Sequence, residues 1–336
     1  MSSSYYPNIT NFYDPIPFRC DYSFAEDTEI LKYLGQACYL LIGLILNFLC
    51  IRTIWYTRRI IYISKSYYVI YSVDCMVSLT TLICDIFLVR SLIYIPQICH
   101  WLEPYLYTQN IFLKSTFILT NYLKIAKIIC QCMLALNRMT CVIEPLRYVS
   151  LWKGIKIYAL GFIFIVPLFT IWNVAISRVY QLPVFGGFYM EYIKEVSWAS
   201  LSKFQLGFMS MALLITLTSG ATVFYTLIML PTRIMDFERT ICVSTLFISA
   251  AFIIAGTFQF LFAFYASIFT TQMIYGLHFL SLDLINVGSP ICMMITNRRF
   301  RKHALGMSME ELVSFVNRGG TYTSSIAPIS MMNPKR

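Results

Sequence analysis

The stretch YLGQACYLLIGLILNFLCI, residues 33–51, contains no Asp, Glu, Lys or Arg. An α-helix rises about 1.5 Å per residue, so an uncharged run of about 20 residues spans a bilayer core about 30 Å thick. This run begins too far from the amino terminus, and continues for too long, to be a cleaved signal peptide. We therefore expect it to be the first of several membrane-spanning helices.

The rest of the chain is similarly apolar. Hydrophobic residues make up 58% of the 336 residues and charged residues only 12%, whereas soluble domains contain about 25% charged residues. Apolar windows predict seven crossings, at about residues 33–55, 67–89, 115–138, 157–177, 203–230, 241–264 and 274–296. The sixth and seventh crossings come from one uncharged run, Thr240 to Leu282. As a single helix this run would measure about 64 Å, too long for one crossing, so we expect a turn near Ala266–Thr271.

The positions of Lys and Arg predict the orientation of this bundle. With the amino terminus outside, the inner segments contain more than twice as many Lys and Arg residues as the outer segments, to which Arg90 is assigned. The positive-inside rule requires this asymmetry. The net charge of +10 therefore reflects topology in the plasma membrane, with the carboxyl terminus in the cytoplasm. Nucleic acid is not an expected partner, because the basic residues do not cluster on one soluble module.

Three segments follow from this topology. Residues 1–32 are predicted to be an extracellular tail, 33–297 the transmembrane bundle, and 298–336 a cytoplasmic helix followed by a disordered tail. RRFRKHAL, residues 298–305, is typical of a short amphipathic helix in contact with membrane lipid. In the second outer loop, PVFGGFYMEY places Gly186-Gly187 between β-prone runs, which predicts a short β-hairpin with these two residues as its turn.

Two features of the outer side concern covalent modification. Asn8-Ile9-Thr10 is a glycosylation sequon, which makes Asn8 a candidate site. Of the 11 cysteines, only Cys20 and Cys99 are assigned to the outer side. Thiols there meet an oxidising environment, which favours a Cys20–Cys99 disulfide over the alternative of two unpaired thiols.

One stretch at the inner face resembles rhodopsin-type G-protein-coupled receptors. NRMTCVIEPLRY, residues 137–148, is similar to the end of their third helix and second inner loop, where Asp/Glu-Arg-Tyr is followed at the same interval by Pro-Leu. Arg138, Pro145 and Leu146 occupy the matching positions. Asn137 and Met139 depart from the pattern, so the acidic neighbour of the arginine is missing.

The seventh predicted helix carries a second similarity. SPICMMITNRRFR, residues 289–301, has the layout of the Asn-Pro-x-x-Tyr segment and surface helix of these receptors, with Pro290 and Phe300 in register. Ser289 and Met293 replace the Asn and the Tyr. The fold class implied is an all-α, seven-transmembrane bundle of the G-protein-coupled receptor type.

The narrower resemblance is to the nematode serpentine chemoreceptors of class gamma. It rests on YVIYSVDCMVSL, SLIYIPQIC and LNRM, together with Cys20 upstream, and covers about residues 18–300. It implies a chemosensory receptor whose partners are a small-molecule ligand and a heterotrimeric G-protein. Sensory cilia are implied as its location by the resemblance alone.

The resemblance also implies a switch at the inner face. Arg138 would be held there at rest and would contact the G-protein after release, with Asn137, Met139, Pro145 and Leu146 beside it. Asp236 and Glu238, which precede the sixth predicted helix, are candidate acidic partners for the arginine; alternatively, they cap or solvate a short loop.

Charges inside the membrane cost about 2.5 to 3.5 kcal/mol each, so they need a partner or a function. Lys127 and Asp74 lie at similar depths, within reach of a lysine side chain. We expect them to pair and, with Asn47 and Ser289 nearby, to form a polar core. One interpretation is that this core is part of the switch, with the Lys127 ammonium group in the place where related receptors hold a cation. The alternative is a structural ion pair that fixes the register of the helices.

Lys124 and Asp283 share a higher level, each about 21 Å from the inner surface. We expect them in a ligand pocket, with Asp85 and Tyr122 at its rim, and a ligand that offers an anionic or carbonyl group to Lys124. A mutual ion pair that seals a dry core is the alternative.

These features favour a G-protein-coupled chemoreceptor. The alternative is a ligand-gated channel or transporter whose intramembrane Lys and Asp residues form an ion path. An enzyme is not expected, since the three histidines fall at different membrane levels and no P-loop, HExxH or G-x-S-x-G motif is present. For the same reasons we expect no metal and no cofactor.

Overall fold

The computed structural model describes residues 16, 18–21, 23–107, 110–229, 236–264 and 271–306. Its elements, in chain order, are α1 (Glu26–Arg52), α2 (Arg59–Ile63), α3 (Ser66–Cys84), α4 (Ser91–Tyr94), α5 (Pro96–Leu102), α6 (Ile111–Ile143), α7 (Tyr148–Ile165), α8 (Leu168–Ile176), β1 (Arg178–Val184), β2 (Gly187–Ile193), α9 (Leu201–Met229), α10 (Asp236–Phe264), α11 (Thr271–Thr296) and α12 (Arg298–Leu305).

The helices form the predicted membrane-spanning bundle. Among the residues that the structure describes, six segments are apolar and long enough to cross a bilayer: Glu26–Thr57, Ser66–Tyr94, Ile111–Ile143, Tyr148–Ile176, Leu201–Thr226 and Tyr275–Thr296. The shorter apolar segment Leu246–Leu261, within α10, takes the place of the sixth of the seven predicted crossings. α10 and α11 are separate helices, as the length argument predicts, and most of the expected turn between them lies outside the described residues.

Contacts between the helices close them into a ring in which α6 lies between α3 and α9. α1 packs between α3 and α11, α10 packs between α9 and α11, and α6 contacts α3, α9 and both helices of the fourth crossing. Ile125, Ile128 and Ile129 of α6 are buried in the main hydrophobic cluster. Their i, i+3, i+4 spacing places them on one face of the helix, which is why this apolar stripe faces the core.

The second crossing contains a π-helical turn, Asp85–Arg90, between α3 and α4. Such turns occur mostly as single insertions in α-helices, frequently at functional sites. Here the turn keeps the chain inside the bundle as far as Tyr94, so Arg90 is buried with 1% of its surface exposed. The segment that could cross a bilayer, Ser66–Tyr94, includes Arg90, so the assignment of Arg90 to an outer segment is wrong. The buried carboxylate of Asp283, described below, neutralises its charge.

The second outer loop folds into the predicted hairpin of β1 and β2, with a turn one residue earlier than expected. Val184 pairs with Gly187, so the turn residues are Phe185 and Gly186, whose φ angles are 56° and 80°. A type I′ turn requires positive φ at both central positions. Gly187 has a different role: a Cβ there would lie 2.2 Å from the Leu92 carbonyl oxygen, so only glycine allows the hairpin to pack against α4.

The hairpin lies beside the segment that precedes α1, which a disulfide attaches to the bundle. Cys20 and Cys99 are bonded, with their Cα atoms 6.1 Å apart. α1 begins at Glu26, inside the predicted tail, and carries three acidic residues in its first turn that favour the positive end of the helix dipole. Asn8 lies outside the described residues.

At the inner end, α12 forms where the amphipathic helix is predicted. The Asn297 side chain caps it by accepting a hydrogen bond from the Phe300 backbone N–H at 2.9 Å, and Gly306 ends it with a φ of 68°. Phe300 is fully buried and packs on Tyr68. The helix is thereby fastened to the second crossing.

Candidate functional site

A buried polar cluster connects the second, third and seventh crossings. Lys127 Nζ lies 2.8 Å from Asp74 Oδ2 and donates to Ser78 Oγ at 2.6 Å. Gln131 Nε2 donates to Asp74 Oδ1 at 2.9 Å, and Ser289 Oγ lies 3.4 Å from Asp74 Oδ2. Lys127 is 3% exposed and Asp74 is fully buried. Both charges are therefore paired and hydrogen-bonded, as buried charges must be.

Three of the four residues predicted for this polar core meet there. Asn47 lies in an adjacent network, where its Nδ2 donates to the Gly43 carbonyl at 2.9 Å and to the Asn286 carbonyl at 3.2 Å, joining α1 to α11.

Ser78 and Gln131 were not among the residues predicted for this cluster. Each follows a predicted member, Asp74 or Lys127, by four residues and so lies on the same helix face. This spacing was the available signal.

Asp283 forms an ion pair with Arg90 instead of sharing a ligand site with Lys124. Arg90 Nη2 lies 2.6 Å from both carboxylate oxygens of Asp283, and its Nη1 donates to Gln36 Oε1 at 2.6 Å. The Tyr39 hydroxyl donates to the same carboxylate. This closed network binds α1 to the second and seventh crossings and leaves Asp283 enclosed. The structure thus pairs this predicted ligand residue with Arg90, and Asp283 is not among the residues that line the cavity described below.

Lys124, by contrast, lines a cavity of about 140 Å³ in the outer half of the bundle, beneath the hairpin. Among the residues that the structure describes, it has no hydrogen bond and no ion pair within 4.0 Å. Asp85 is buried and close enough to interact with Lys124 electrostatically, as it does with Arg90. Tyr122 points elsewhere, since its hydroxyl donates to the Phe164 carbonyl of α7 at 2.8 Å.

One wall of the cavity is a chain of side-chain amides that crosses three helices. Asn121 Nδ2 donates to the Phe117 carbonyl at 2.8 Å, and Gln205 Nε2 donates to Asn121 Oδ1 at 2.9 Å. Gln259 Nε2 lies 3.4 Å from Gln205 Oε1 and 3.3 Å from the Ser202 carbonyl. No pattern in the sequence indicated this chain, because its members lie on α6, α9 and α10 without a common spacing.

Residues of the hairpin form the outer part of the cavity. Tyr189 and Tyr275 both line it and pack against each other, with ring centroids 4.7 Å apart. Glu191 and Lys194 also line it. Glu191 accepts a hydrogen bond from the Tyr180 hydroxyl at 2.9 Å, and burial raises the pKa of its carboxyl above the usual range.

At the inner face, Arg138 is held by an aromatic side chain. Its Nη2 donates to the Tyr67 hydroxyl at 2.5 Å, and its guanidinium carbon lies 5.1 Å from the centre of the same ring. Arg138 is 7% exposed. The side chains of Asp236 and Glu238, the predicted acidic partners, lie outside the described part of the chain. Tyr67 was not predicted, because the family pattern suggests a carboxylate at this point.

The other residues predicted for G-protein coupling surround Arg138. Asn137 Oδ1 accepts a hydrogen bond from the Tyr148 hydroxyl at 2.9 Å, and Met139 is half-buried. Pro145 and Leu146 are exposed, Leu146 by 97%. The inner face therefore combines a buried cation with a protruding apolar side chain in the loop that follows it.

Comparisons with known proteins identify the family of the chain. The model of the Srg family of chemoreceptors matches residues 33–304. Serpentine receptor class gamma-11 of Caenorhabditis elegans is 44% identical over 302 residues, which cover 90% of each chain. Serpentine receptor class gamma-5 of the same organism is 38% identical over 88% of this chain and 92% of its own, and class gamma-13 is 35% identical over 95% and 94%.

Proposed function

The chain belongs to the Srg family of chemoreceptors, and from this premise we propose that it binds a small chemical cue beside Lys124 and activates a heterotrimeric G-protein at its inner face. It is a multi-pass membrane protein. We place it in the plasma membrane with its amino terminus outside and its carboxyl terminus in the cytoplasm, and, by analogy with the chemoreceptor family, in sensory cilia.

The observation that carries this proposal is the position of Lys124. An ammonium group within the membrane is costly unless it is paired, and Lys127, one turn further along the same helix, is paired. Lys124 instead faces the cavity, with no ion pair in the described part of the bundle. A ligand with an anionic or carbonyl group supplies the missing partner through a charge-assisted hydrogen bond.

The inner face supports the second half of the proposal. Arg138 is buried against Tyr67, while Leu146 projects from the adjacent loop. A ligand that binds the outer half more tightly when the inner face is open shifts the population towards that state. In that state Arg138 leaves Tyr67 and, with Leu146, contacts the G-protein.

Ligand screening tests this function. Cells that express the receptor are exposed to a panel of small molecules and monitored for calcium or cyclic nucleotides, with the Arg138→Gln variant as the control for coupling. A response that the wild type shows and the variant lacks supports a G-protein-coupled receptor. Agonist-evoked currents that persist when G-protein coupling is blocked would instead identify a channel, and labelling of an amino-terminal epitope only in permeabilised cells would overturn the topology.

Tyr67 is expected to hold the resting state. Tyr67→Phe removes the hydroxyl that accepts from Arg138, a hydrogen bond to a charged group worth about 1.5 kcal/mol, but keeps the ring. Tyr67→Leu also removes the cation–π contact, worth about 1 kcal/mol. Signalling without ligand should therefore rise about tenfold in Tyr67→Phe and about 70-fold in Tyr67→Leu. Basal G-protein activation in membranes measures this.

Tyr68→Phe is the matched control, since the Tyr68 hydroxyl accepts from Asn297 at 3.2 Å and has no bond to Arg138. Cys292, buried at the inner end of α11 and within electrostatic range of Arg138, adds a readout that needs no G-protein. Its labelling by maleimide should increase in the same order. Basal signalling at the wild-type level in Tyr67→Leu would show that this tyrosine does not restrain the arginine.

The response to an anionic cue is expected to depend on pH through Glu191. The charged and titratable groups that face it are Tyr180, Lys194, Tyr189 and Tyr192 of the hairpin region and, across the cavity, Lys124 and His278. Because its pKa is raised, lowering the pH neutralises Glu191 sooner than an ordinary carboxyl. The repulsion between Glu191 and an anion in the cavity then disappears, so potency should increase about two- to fivefold as the pH falls from about 7.5 to about 5.5.

Dose–response curves across this range, for a cue that stays ionised, measure the effect. Glu191→Gln should hold the potency near its low-pH value throughout. A pH dependence that Glu191→Gln leaves unchanged would assign the titration to another group, such as His278.

A further inference from the structure

We infer that the cue is a small organic acid that also carries a hydrogen-bond donor, with its acid group bound by Lys124 and its donor by Gln259. The inference rests on the proposed function and specifies the chemical class of its ligand. Both side chains line the same cavity, one on α6 and the other on α10.

The direction of the amide chain determines what Gln259 offers. The Phe117 and Ser202 backbone carbonyls that end the chain can only accept hydrogen bonds. Asn121 and Gln259 must therefore turn their NH₂ groups towards them, as observed at 2.8 and 3.3 Å. Gln205 continues the same direction by donating to Asn121 and accepting from Gln259. The orientation of all three amides follows from the two backbone carbonyls.

This direction leaves an acceptor at the end of the chain. Gln259 is 1% exposed, and its Oε1 is buried without a hydrogen-bond partner in the part of the bundle that the structure describes. A buried acceptor without a partner costs about 1 to 3 kcal/mol. The bonds from its Nε2 are long, at 3.3 and 3.4 Å, and the terminal torsion of glutamine is soft. A small rotation therefore presents Oε1 to a donor in the cavity.

The size of the cavity and its aromatic walls restrict the choice of ligand further. The cavity of about 140 Å³ is similar to an engineered cavity of about 150 Å³ that holds benzene. Phe117, Tyr189 and Tyr275 supply aromatic walls. A monocyclic acid with one hydroxyl group matches the volume, the cation and the acceptor together. A neutral hydrocarbon would leave Lys124 and Gln259 without partners.

Binding of a matched series of acids tests the inference. The probes are benzoate, which has no donor; the 2-, 3- and 4-hydroxybenzoates; the corresponding methoxybenzoates, whose oxygen only accepts; and 4-hydroxybenzamide, which lacks the charge. Binding to the purified full-length receptor in lipid nanodiscs is measured by calorimetry. At least one hydroxybenzoate should bind about tenfold more tightly than benzoate and its own methoxy analogue.

Variants locate the two contacts. Gln259→Leu should remove the advantage of the hydroxyl while leaving benzoate binding unchanged, and Lys124→Met should weaken every acid. Thr257→Val, on the exposed face of α10, is the control and should change neither. If Gln259→Leu does not fold, the comparison of hydroxy and methoxy acids on the wild type still decides the question.

The possible failures are distinct. Equal binding of benzoate and all hydroxybenzoates, weakened by Lys124→Met, would contradict the donor inference and leave the proposed function intact. Binding of 4-hydroxybenzamide as tight as that of the acids, and unaffected by Lys124→Met, would remove Lys124 from the ligand site and with it the proposed binding mode. Absence of binding by the whole series would overturn the ligand class.

Discussion

A Lys127→Met receptor is expected to be retained inside the cell instead of reaching the surface. The substitution removes the partner of Asp74, which is fully buried between α3, α6 and α11. Breaking a buried ion pair by removing one partner costs about 3 to 5 kcal/mol, a large part of the about 5 to 15 kcal/mol that stabilises a typical fold. Flow cytometry of an extracellular epitope, compared with total expression, measures the loss.

A double variant provides the control for this prediction. Asp74→Asn with Lys127→Met replaces both charges and leaves no unpaired carboxylate, so surface expression should recover in part. Recovery would show that the uncompensated charge, and not the lost side-chain volume, causes the retention. Normal surface expression and normal signalling of the single variant would refute both interpretations of the polar core, as a switch and as a structural pair.

Lys124→Met is expected to have the opposite phenotype, although it lies one turn away on the same helix. Lys124 has no ion pair within 4.0 Å in the described part of the bundle and interacts with Asp85 only at longer range, so its removal should cost less stability than that of Lys127 and surface expression should stay close to the wild type. Potency of an acidic cue should fall about 10- to 150-fold, because a hydrogen bond to a charged group contributes about 1.5 to 3 kcal/mol.

Potency is measured from dose–response curves normalised to surface expression. Lys124→Arg is the matched control, since it keeps the charge and should retain most of the response. If Lys124→Met shifts neither the potency nor the selectivity for acids, the ligand site is elsewhere. The pair of Met variants therefore separates folding from recognition within a single helix.

The bundle itself was predictable because its determinants are local. Run lengths of apolar residues give the crossings without knowledge of how the helices pack. The orientation that the positions of Lys and Arg predict stays a prediction. The hairpin and α12 follow from equally local patterns. The error of one residue in the turn arose because Gly186 and Gly187 look alike in sequence, whereas only the packed structure shows that Gly187 is needed for close approach to Leu92.

The site was predictable only where the depth of each residue in the membrane determines its contacts. Depth alone placed Lys127 beside Asp74 correctly, but it says nothing about the direction in which a helix face points. Lys124 and Asp283 share a level and still do not pair, because the π-helical turn brings Arg90 to Asp283. Helix geometry already argues against placing Tyr122 and Lys124 in one pocket. The two residues are two positions apart and so lie about 200° apart around the helix, which means that they cannot face the same cavity.

Contacts between residues distant in sequence were beyond prediction. The amide chain joins positions on three helices, and Tyr67 meets Arg138 across 71 residues. Neither contact follows from a spacing of residues along one helix. Both depend on which faces of neighbouring helices are turned towards each other. The departure of Asn137 from the family pattern showed that an acid was missing, and packing supplied an aromatic ring in its place.

The Arg90–Asp283 pair has a consequence for how the protein is made. Its partners are 193 residues apart, so at about 5 to 20 residues per second the ribosome completes the second crossing about 10 to 40 seconds before the seventh. During that interval the guanidinium group waits without its counter-ion, either sheltered by the insertion machinery or drawn towards lipid headgroups. In chains that stop short of the seventh crossing, Arg90 lacks the Asp283 carboxylate, and Asp85 of its own crossing is the acidic group that remains close to it.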